Sequence, residues 1–163
     1  MEFTQPDPAE RSAFMRLFYR NRRPTWFGHL NSQIFCWGAR LGLLPGLIVA
    51  LEVRHREGGK PRQDAVVISS VAGDDFIVSM FGSISDWVHD LEASRGKAVI
   101  YRSARAHRVR LELVSVAERA PIIREFNRIA SSGRKHLPLG IDPTLEECAA
   151  LAPYHPAYRI DWQ

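Results

Sequence analysis

The sequence lacks several features that mark specialised classes of protein. Its 163 residues include two cysteines, Cys36 and Cys148, and no C-x-x-C pair. A disulfide framework and a metal site are therefore not expected, and a reducing cytoplasm is the simplest compartment. The acidic and polar start of the chain does not resemble a secretory signal. The sequence also has no internal repeat and no low-complexity tract.

A long uninterrupted hydrophobic run is also missing, although one segment comes close. Residues 34–51 are strongly apolar over 18 positions, but they include Arg40 and, further on, Pro45 and Gly46. A membrane-spanning helix needs about 20 apolar residues without such an interruption. We therefore do not expect a membrane span, and weak peripheral association with the inner membrane face stays open.

The composition is that of a globular protein with a mild excess of positive charge. Hydrophobic residues make up 45% and charged residues 25% of the chain, and the formal net charge is +4. This length suits a single domain over residues 1–163 with one core. The basic balance permits an anionic partner without identifying it.

Hydrophobic periodicity predicts both helices and strands. Trp26, Leu30, Ile34, Trp37 and Leu41 recur at helical spacing, and we expect Trp37 to pack into the core. Helices are predicted at about 8–19, 25–41, 85–95, 118–130 and 142–151, the first two forming an N-terminal helical segment at about 8–42. A three-stranded meander is predicted at about 47–81, with further strands at about 97–101, 106–116 and 157–162.

The order of these elements indicates the fold class. Consecutive strands joined by short turns pair antiparallel, and regular strand–helix–strand alternation is absent from the sequence. The prediction is an α+β protein: a split β-barrel of about six mainly antiparallel strands with helices packed outside.

Basic side chains surround a double glycine in the segment VRHREGGKPRQDA. A solvated hairpin tip is one interpretation, and a cradle for an anion is the other. Guanidinium groups match planar oxygen pairs, and glycine amides can form an anion-binding nest. The residues concerned are Arg54, Arg56, Lys60 and Arg62, the glycines Gly58 and Gly59, and the acidic Glu57.

Two motifs together resemble the deazaflavin-dependent nitroreductase-like family of split-barrel oxidoreductases. The family turn has the form G-R-x-S-G-x-x-R, and RHREGGKPR matches it at Arg56, Gly59 and Arg62. The family helix start, A-x-W-Y-x-N-L, resembles SDWVHDL. The matching residues are Trp87, Asp90 and Leu91, with Asp90 in place of Asn, Val88 in place of Tyr, and Gly58 in place of the Ser of the first motif.

The resemblance implies hydride transfer between reduced coenzyme F-420, a deazaflavin, and an organic acceptor of the nitroaromatic, quinone or enone type. Trp87 would pack near the ring or in the core, and Tyr154 and His155 would face a substrate. The resemblance assigns no catalytic residue, and it implies a homodimer. The residues expected to bind the cofactor are Arg56, Gly58, Gly59, Lys60, Arg62, Ser79, Met80, Phe81, Trp87 and Asp90.

Other ligands remain open at this point. A variant barrel could bind FMN, haem, a fatty acid or another anionic ligand, or could have lost its cofactor and its catalysis. A second basic run allows a nucleic-acid-binding barrel, but Tyr101 is the only aromatic nearby, so we do not expect nucleic acid as a partner. That run consists of Lys97, Arg102, Arg105, Arg108 and Arg110.

Three polar side chains have simpler interpretations. His89 is expected to be solvated on a short helix. Asp90 is expected on the helix surface or as a loop cap, and His107 is expected to be packed or hydrogen-bonded.

Overall fold

The computed structural model describes residues 19–20, 23–24, 26–131 and 133–163, with side chains from residue 32 onward except residue 132. The predicted helix at about 8–19 lies outside these residues except for Tyr19, which begins the first strand. The strands are β1 (Tyr19–Arg20), β2 (Arg23–Pro24), β3 (Ile48–Val53), β4 (Arg62–Val71), β5 (Asp74–Val78), β6 (Lys97–Arg102), β7 (Arg105–Leu113) and β8 (Ala157–Trp162).

Strands β3 to β8 close into a barrel, which confirms the predicted fold class. The pairing order is β3-β4-β5-β8-β7-β6, and β6 pairs again with β3, all antiparallel. Closure follows because every strand has a partner on both sides, so no edge is left exposed. The short strands β1 and β2 pair separately with each other.

Alternating apolar residues fill the barrel interior. Leu51, Ile77 and Ile100 have no exposed surface, and residues of β7 and β8 complete the same cluster. In each strand, the neighbouring positions point outward, where they contact helices or solvent. In β7, the alternation of buried and exposed residues therefore corresponds to the inner and outer walls of the barrel.

The helices pack against the outside and one end of this barrel. Their bounds are α1 (Trp26–Arg40), α2 (Asp86–Ala93), α3 (Arg119–Ile129) and α4 (Leu145–Leu151). Helix α1 buries Cys36 and Ala39 against Ala50 of β3. Helix α3 packs Ile123 and Phe126 against β5.

The structure corrects two details of the predicted helices. Trp37 is 67% exposed, so the expectation that it packs into the core was wrong. The small side chains of Cys36 and Ala39 form the buried face of α1 instead, because they allow a close approach to Ala50. Helix α4 begins after Thr144 rather than at Asp142, and Thr144 and Glu147 form a reciprocal capping box.

Within the described residues, no helix combines the length and the apolarity that crossing a bilayer requires.

Candidate functional site

The basic glycine turn joins β3 to β4 at one end of the barrel. Gly58 and Gly59 have φ angles of +85° and +88°, a conformation that glycine adopts without strain. A Cβ atom at either position would meet no atom within 4 Å. The double glycine is therefore required by the backbone conformation, and its surface is open to an incoming group.

Two of the predicted basic residues converge on one buried carboxylate. Asp90 of α2 has no exposed surface, and its Oδ2 accepts from Nε of Arg62 at 2.8 Å. Its Oδ1 accepts from Nη1 and from the backbone N–H of Arg56, each at 3.1 Å. Asp90 therefore fixes both guanidinium groups and one end of the turn. The expectation of a surface position for Asp90 was wrong, and its capping of a loop was confirmed.

A second carboxylate lies beside this pair of arginines. Asp86 is within 3.7 Å of a terminal nitrogen of Arg56 and of Arg62, and its side chain is 57% exposed. Glu57, Asp86 and Asp90 together lie against the four basic side chains of the turn, which leaves a net charge of +1. The turn is therefore much less positive than its sequence suggested.

The ionisation of Asp90 reflects these contacts. Burial would raise the pKa of the Asp90 carboxyl, but the hydrogen bonds from Arg62 and the Arg56 amide, together with the Arg62 charge, outweigh it and hold the pKa below its usual value. Burial likewise opposes the charge of Arg62, yet Asp90, Asp64 and Asp86 raise the pKa of its guanidinium. Both groups are charged at neutral pH.

The other two basic residues of the turn differ from this pair. Arg54 and Lys60 are exposed, and within the described part of the chain neither forms an ion pair. They are free to contact an anion without breaking an existing bond.

The segment after β5 leads to the start of α2. The Ser79 hydroxyl donates to the Gly82 carbonyl at 2.7 Å and lies 2.9 Å from the Ser85 hydroxyl. The Ser79 N–H donates to the carbonyl of Pro156, so this amide is used within the fold. Met80 and Phe81 are half-buried. Met80 and Phe81 therefore keep accessible surface for the predicted contact with a cofactor ring, whereas Ser79 is buried.

Trp87 belongs to the barrel interior. It is 8% exposed, and its ring lies 5.6 Å from that of Tyr158 in an edge-to-face arrangement. This position favours core packing over contact with a cofactor ring, the two interpretations that the sequence left open.

The two residues suggested for a substrate do not share an environment. Tyr154 is 45% exposed, whereas His155 has no exposed surface and its Nδ1 lies 3.0 Å from the Ser79 carbonyl. His155 therefore links the approach to β8 with the end of β5. His89 is exposed, as expected, and His107 stacks edge-to-face on Trp162 at 5.5 Å.

Sequence reasoning missed the buried side chain of Arg119 and its two hydrogen bonds. Arg119 is 6% exposed and donates to the carbonyls of Val114 at 2.9 Å and Ala152 at 2.8 Å. Burial lowers the pKa of its guanidinium. Arg119 thus ties the end of β7 to the end of α4, and no local sequence signal distinguishes it from the solvated arginines.

Comparisons with known proteins give a similarity to solved structures alone. No protein-family model and no curated protein matches the chain. The chain is similar to an F-420 reductase, with 11% identity over 77% of this chain and 92% of that one and a TM-score of 0.44. It is also similar to an F-420-H2 dependent reductase, FDR-A, with 13% identity over 72% and 96% of the two chains and a TM-score of 0.43.

A further similar structure is a heme binding protein from Mycobacterium smegmatis. The identity is 15%, the alignment covers 77% of this chain and 52% of that one, and the TM-score is 0.41. The chain thus spans about half the length of that protein. The similar structures differ in ligand, and at these identities they do not assign a ligand to this chain.

Proposed function

We propose that this chain binds a deazaflavin of the coenzyme F-420 type at the glycine turn between β3 and β4, and that it is an oxidoreductase that passes a hydride to an organic acceptor. The observation that carries the proposal is the pair of guanidinium groups held by Asp90. Arg56 and Arg62 are fixed by one buried carboxylate beside two open glycines. The match of this turn to the family motif supports the same ligand.

A fixed guanidinium group retains donors for a second partner. Each guanidinium has five N–H donors, and Asp90 uses one Arg62 side-chain donor and one Arg56 side-chain donor. The two side chains are 36% and 22% exposed. Because Asp90 has already ordered them, a phosphate or carboxylate binding there would lose little side-chain entropy.

The residues of the turn fit the anionic tail of such a cofactor better than the rest of the site fits its ring. Arg56, Lys60 and Arg62 would hold the phosphodiester and carboxylates, with the amides of the double glycine close by. Asp86 opposes this binding, so its carboxylate would have to turn toward the solvent. For the ring, the accessible surface at Met80 and Phe81 is the remaining contact, since Trp87 packs in the core.

The reduced deazaflavin, when bound, supplies the hydride. The protein's part is to hold and orient it and to limit water around it. The turn would fix the tail, and the segment of Met80 and Phe81 would position the ring against an acceptor. No side chain of this chain is required to move a proton at a defined atom in this scheme.

The test is a titration of the purified protein with oxidised coenzyme F-420, followed by the fluorescence of the cofactor. We expect quenching with a dissociation constant on the order of micromolar. Lys60→Ala should weaken binding by about threefold to tenfold because it removes one unpaired cation. Arg105→Ala is the matched control, since Arg105 is exposed and lies on β7 away from the turn.

Parallel titrations with FMN and haemin separate the alternatives. Tight FMN or haem binding without any F-420 binding would replace the proposed cofactor. Unchanged F-420 affinity in both Lys60→Ala and Arg62→Ala would show that the turn does not hold the tail. Turnover with reduced F-420 and a panel of nitroaromatic, quinone and enone acceptors then tests the oxidoreductase activity.

A further inference from the structure

We propose that a second site, on the outer wall of the barrel, binds a compact anion that carries two linked phosphate groups, such as pyrophosphate or the diphosphate of a nucleotide. The site is a groove of about 350 Å³ whose lining includes four basic side chains. These are Arg54, Lys97, Arg108 and Arg110. We call it the diphosphate groove; it shares Arg54 with the glycine turn, but its lining does not include Arg56 or Arg62, the two arginines that pair with Asp90.

The pairing register of the barrel brings these residues together. Lys97 of β6 lies opposite Arg110 of β7, and Val99 lies opposite Arg108. All of these side chains stand on outward positions, because their neighbours Ala98 and Val109 belong to the barrel core. Directly opposed residues place their Cβ atoms about 5 Å apart, so Lys97 and Arg110 lie within reach of one ligand.

The cations of the groove differ from other arginines of the chain in their lack of ion-pair partners among the described residues. Arg62, Arg102, Arg124 and Arg159 each form an ion pair with an aspartate or glutamate. Among the described residues, the four cations of the groove form none. Like charges directly opposite each other destabilise a sheet. A bound anion would remove that repulsion.

The acidic groups that face the groove are engaged elsewhere. Glu52 accepts from Nε2 of Gln63 at 2.5 Å and from the Tyr101 hydroxyl at 3.3 Å. Asp161 is opposite Arg110 on β8, and it accepts from Nε2 of Gln163 at 3.2 Å. Even with both carboxylates counted, the groove keeps a net positive charge.

The lining favours a small phosphate ligand over a nucleic-acid strand. Nothing aromatic is among the described residues that line the groove, whereas single-strand binding depends on stacking of bases on aromatic rings. The four cations are spread over three neighbouring strands, from the end of β3 across β6 to β7, a distance of about 10 Å, and two linked phosphates span this distance better than one. The volume is at the small end of the range for ligand sites.

Isothermal titration calorimetry with pyrophosphate and with inorganic phosphate tests the proposal. We expect pyrophosphate to bind more tightly than phosphate and its affinity to fall with rising salt. Arg108→Ala and Arg110→Ala should each weaken pyrophosphate binding by about tenfold or more. Arg105→Ala, on the same strand but outside the groove, should leave the affinity within about twofold of wild type.

The substituted side chains are exposed, so the variants should fold, and equal melting temperatures would establish this. Equal weakening by Arg105→Ala, or no pyrophosphate binding at low salt, would overturn the proposal. Tighter binding of a single-stranded oligonucleotide than of pyrophosphate would assign the surface to nucleic acid instead and would also overturn it. Binding of F-420 should be unchanged in Arg108→Ala, so each site can fail without the other.

Discussion

Nε of Arg62 donates to Oδ2 of Asp90 over 2.8 Å, and this bond fastens the first residue of β4 to the middle of α2. Arg56 binds the other carboxylate oxygen through its side chain and its backbone N–H. One buried carboxylate therefore holds both ends of the glycine turn and closes α2 over the barrel. The same contact serves the stability of the fold and the geometry of the proposed tail site.

Asp90→Asn should destabilise the protein by about 2–3 kcal/mol, because the amide keeps the shape but loses the charge and one acceptor while two guanidinium groups remain. The free energy of unfolding from urea titrations at pH 7 measures this change. Asp86→Asn is the matched control on the same helix. Its side chain is 57% exposed, so its loss should cost less than about 1 kcal/mol. Equal costs for the two variants would contradict the central role of Asp90.

The contribution of Asp90 should depend on pH in one direction. Its pKa in the folded protein lies below the usual value, so its stabilising contribution is fully present above the unfolded pKa of about 3.9 and is lost as the pH falls through the folded value. The difference in unfolding free energy between wild type and Asp90→Asn should therefore be constant from pH 7 to about pH 5 and decrease below about pH 4. Urea titrations across that range measure it, and a difference that grew at low pH would contradict it.

The sequence predicted the barrel because its signals are local. The apolar run of β3, the alternation of apolar and polar residues in β7 and the turn residues between strands are each visible in a few neighbouring residues. The environment of Asp90 could not be read in this way, since its partner Arg62 is 28 residues away and the helix periodicity does not show what covers it. The net charge of the turn was overestimated for the same reason.

The exposure of Trp37 illustrates a second limit. A stripe of large apolar residues on α1 predicted the buried face, yet the helix packs through Cys36 and Ala39. Helical spacing identifies which residues share a face, whereas burial depends on which face can approach the barrel closely. In α1, the small side chains of Cys36 and Ala39 allow that close approach.

Trp37→Gln should change the free energy of unfolding by no more than about 0.5 kcal/mol, because the side chain is 67% exposed. Trp87→Ala should cost about 3–5 kcal/mol, since Trp87 is part of the barrel core. Urea unfolding of both variants at pH 7 provides the comparison. A loss above about 1.5 kcal/mol for Trp37→Gln would show that another surface covers the α1 stripe.

Both thiols should be unreactive in the folded protein. Burial, and then the negative charge of Asp64, raises the pKa of Cys36 to about 12, and burial also raises the pKa of Cys148. The thiolate is the reactive form, so Ellman's reagent at pH 8 should detect no thiol in the native protein and two per chain in denaturant. Rapid release from one native thiol that persists in Cys148→Ala would come from Cys36 and would show that α1 leaves the barrel readily.

Gly96→Ala should be among the most destabilising single-methyl additions to this chain. Gly96 lies in the turn between α2 and β6 with φ +77°, and a Cβ atom there would lie 2.5 Å from the backbone carbonyl oxygen of Leu111. That carbonyl belongs to β7, and Leu111 also donates its N–H to Gly96, so neither backbone can retreat without breaking the contact. We expect a loss of about 3 kcal/mol or more in the free energy of unfolding.

Gly73→Ala is the matched control: its φ is +91°, but the space around it is open, so it should lose about 1–2 kcal/mol from backbone strain alone. Urea titration of the two variants separates strain from collision, and equal losses would mean that the α2 end is not held against β7 in solution.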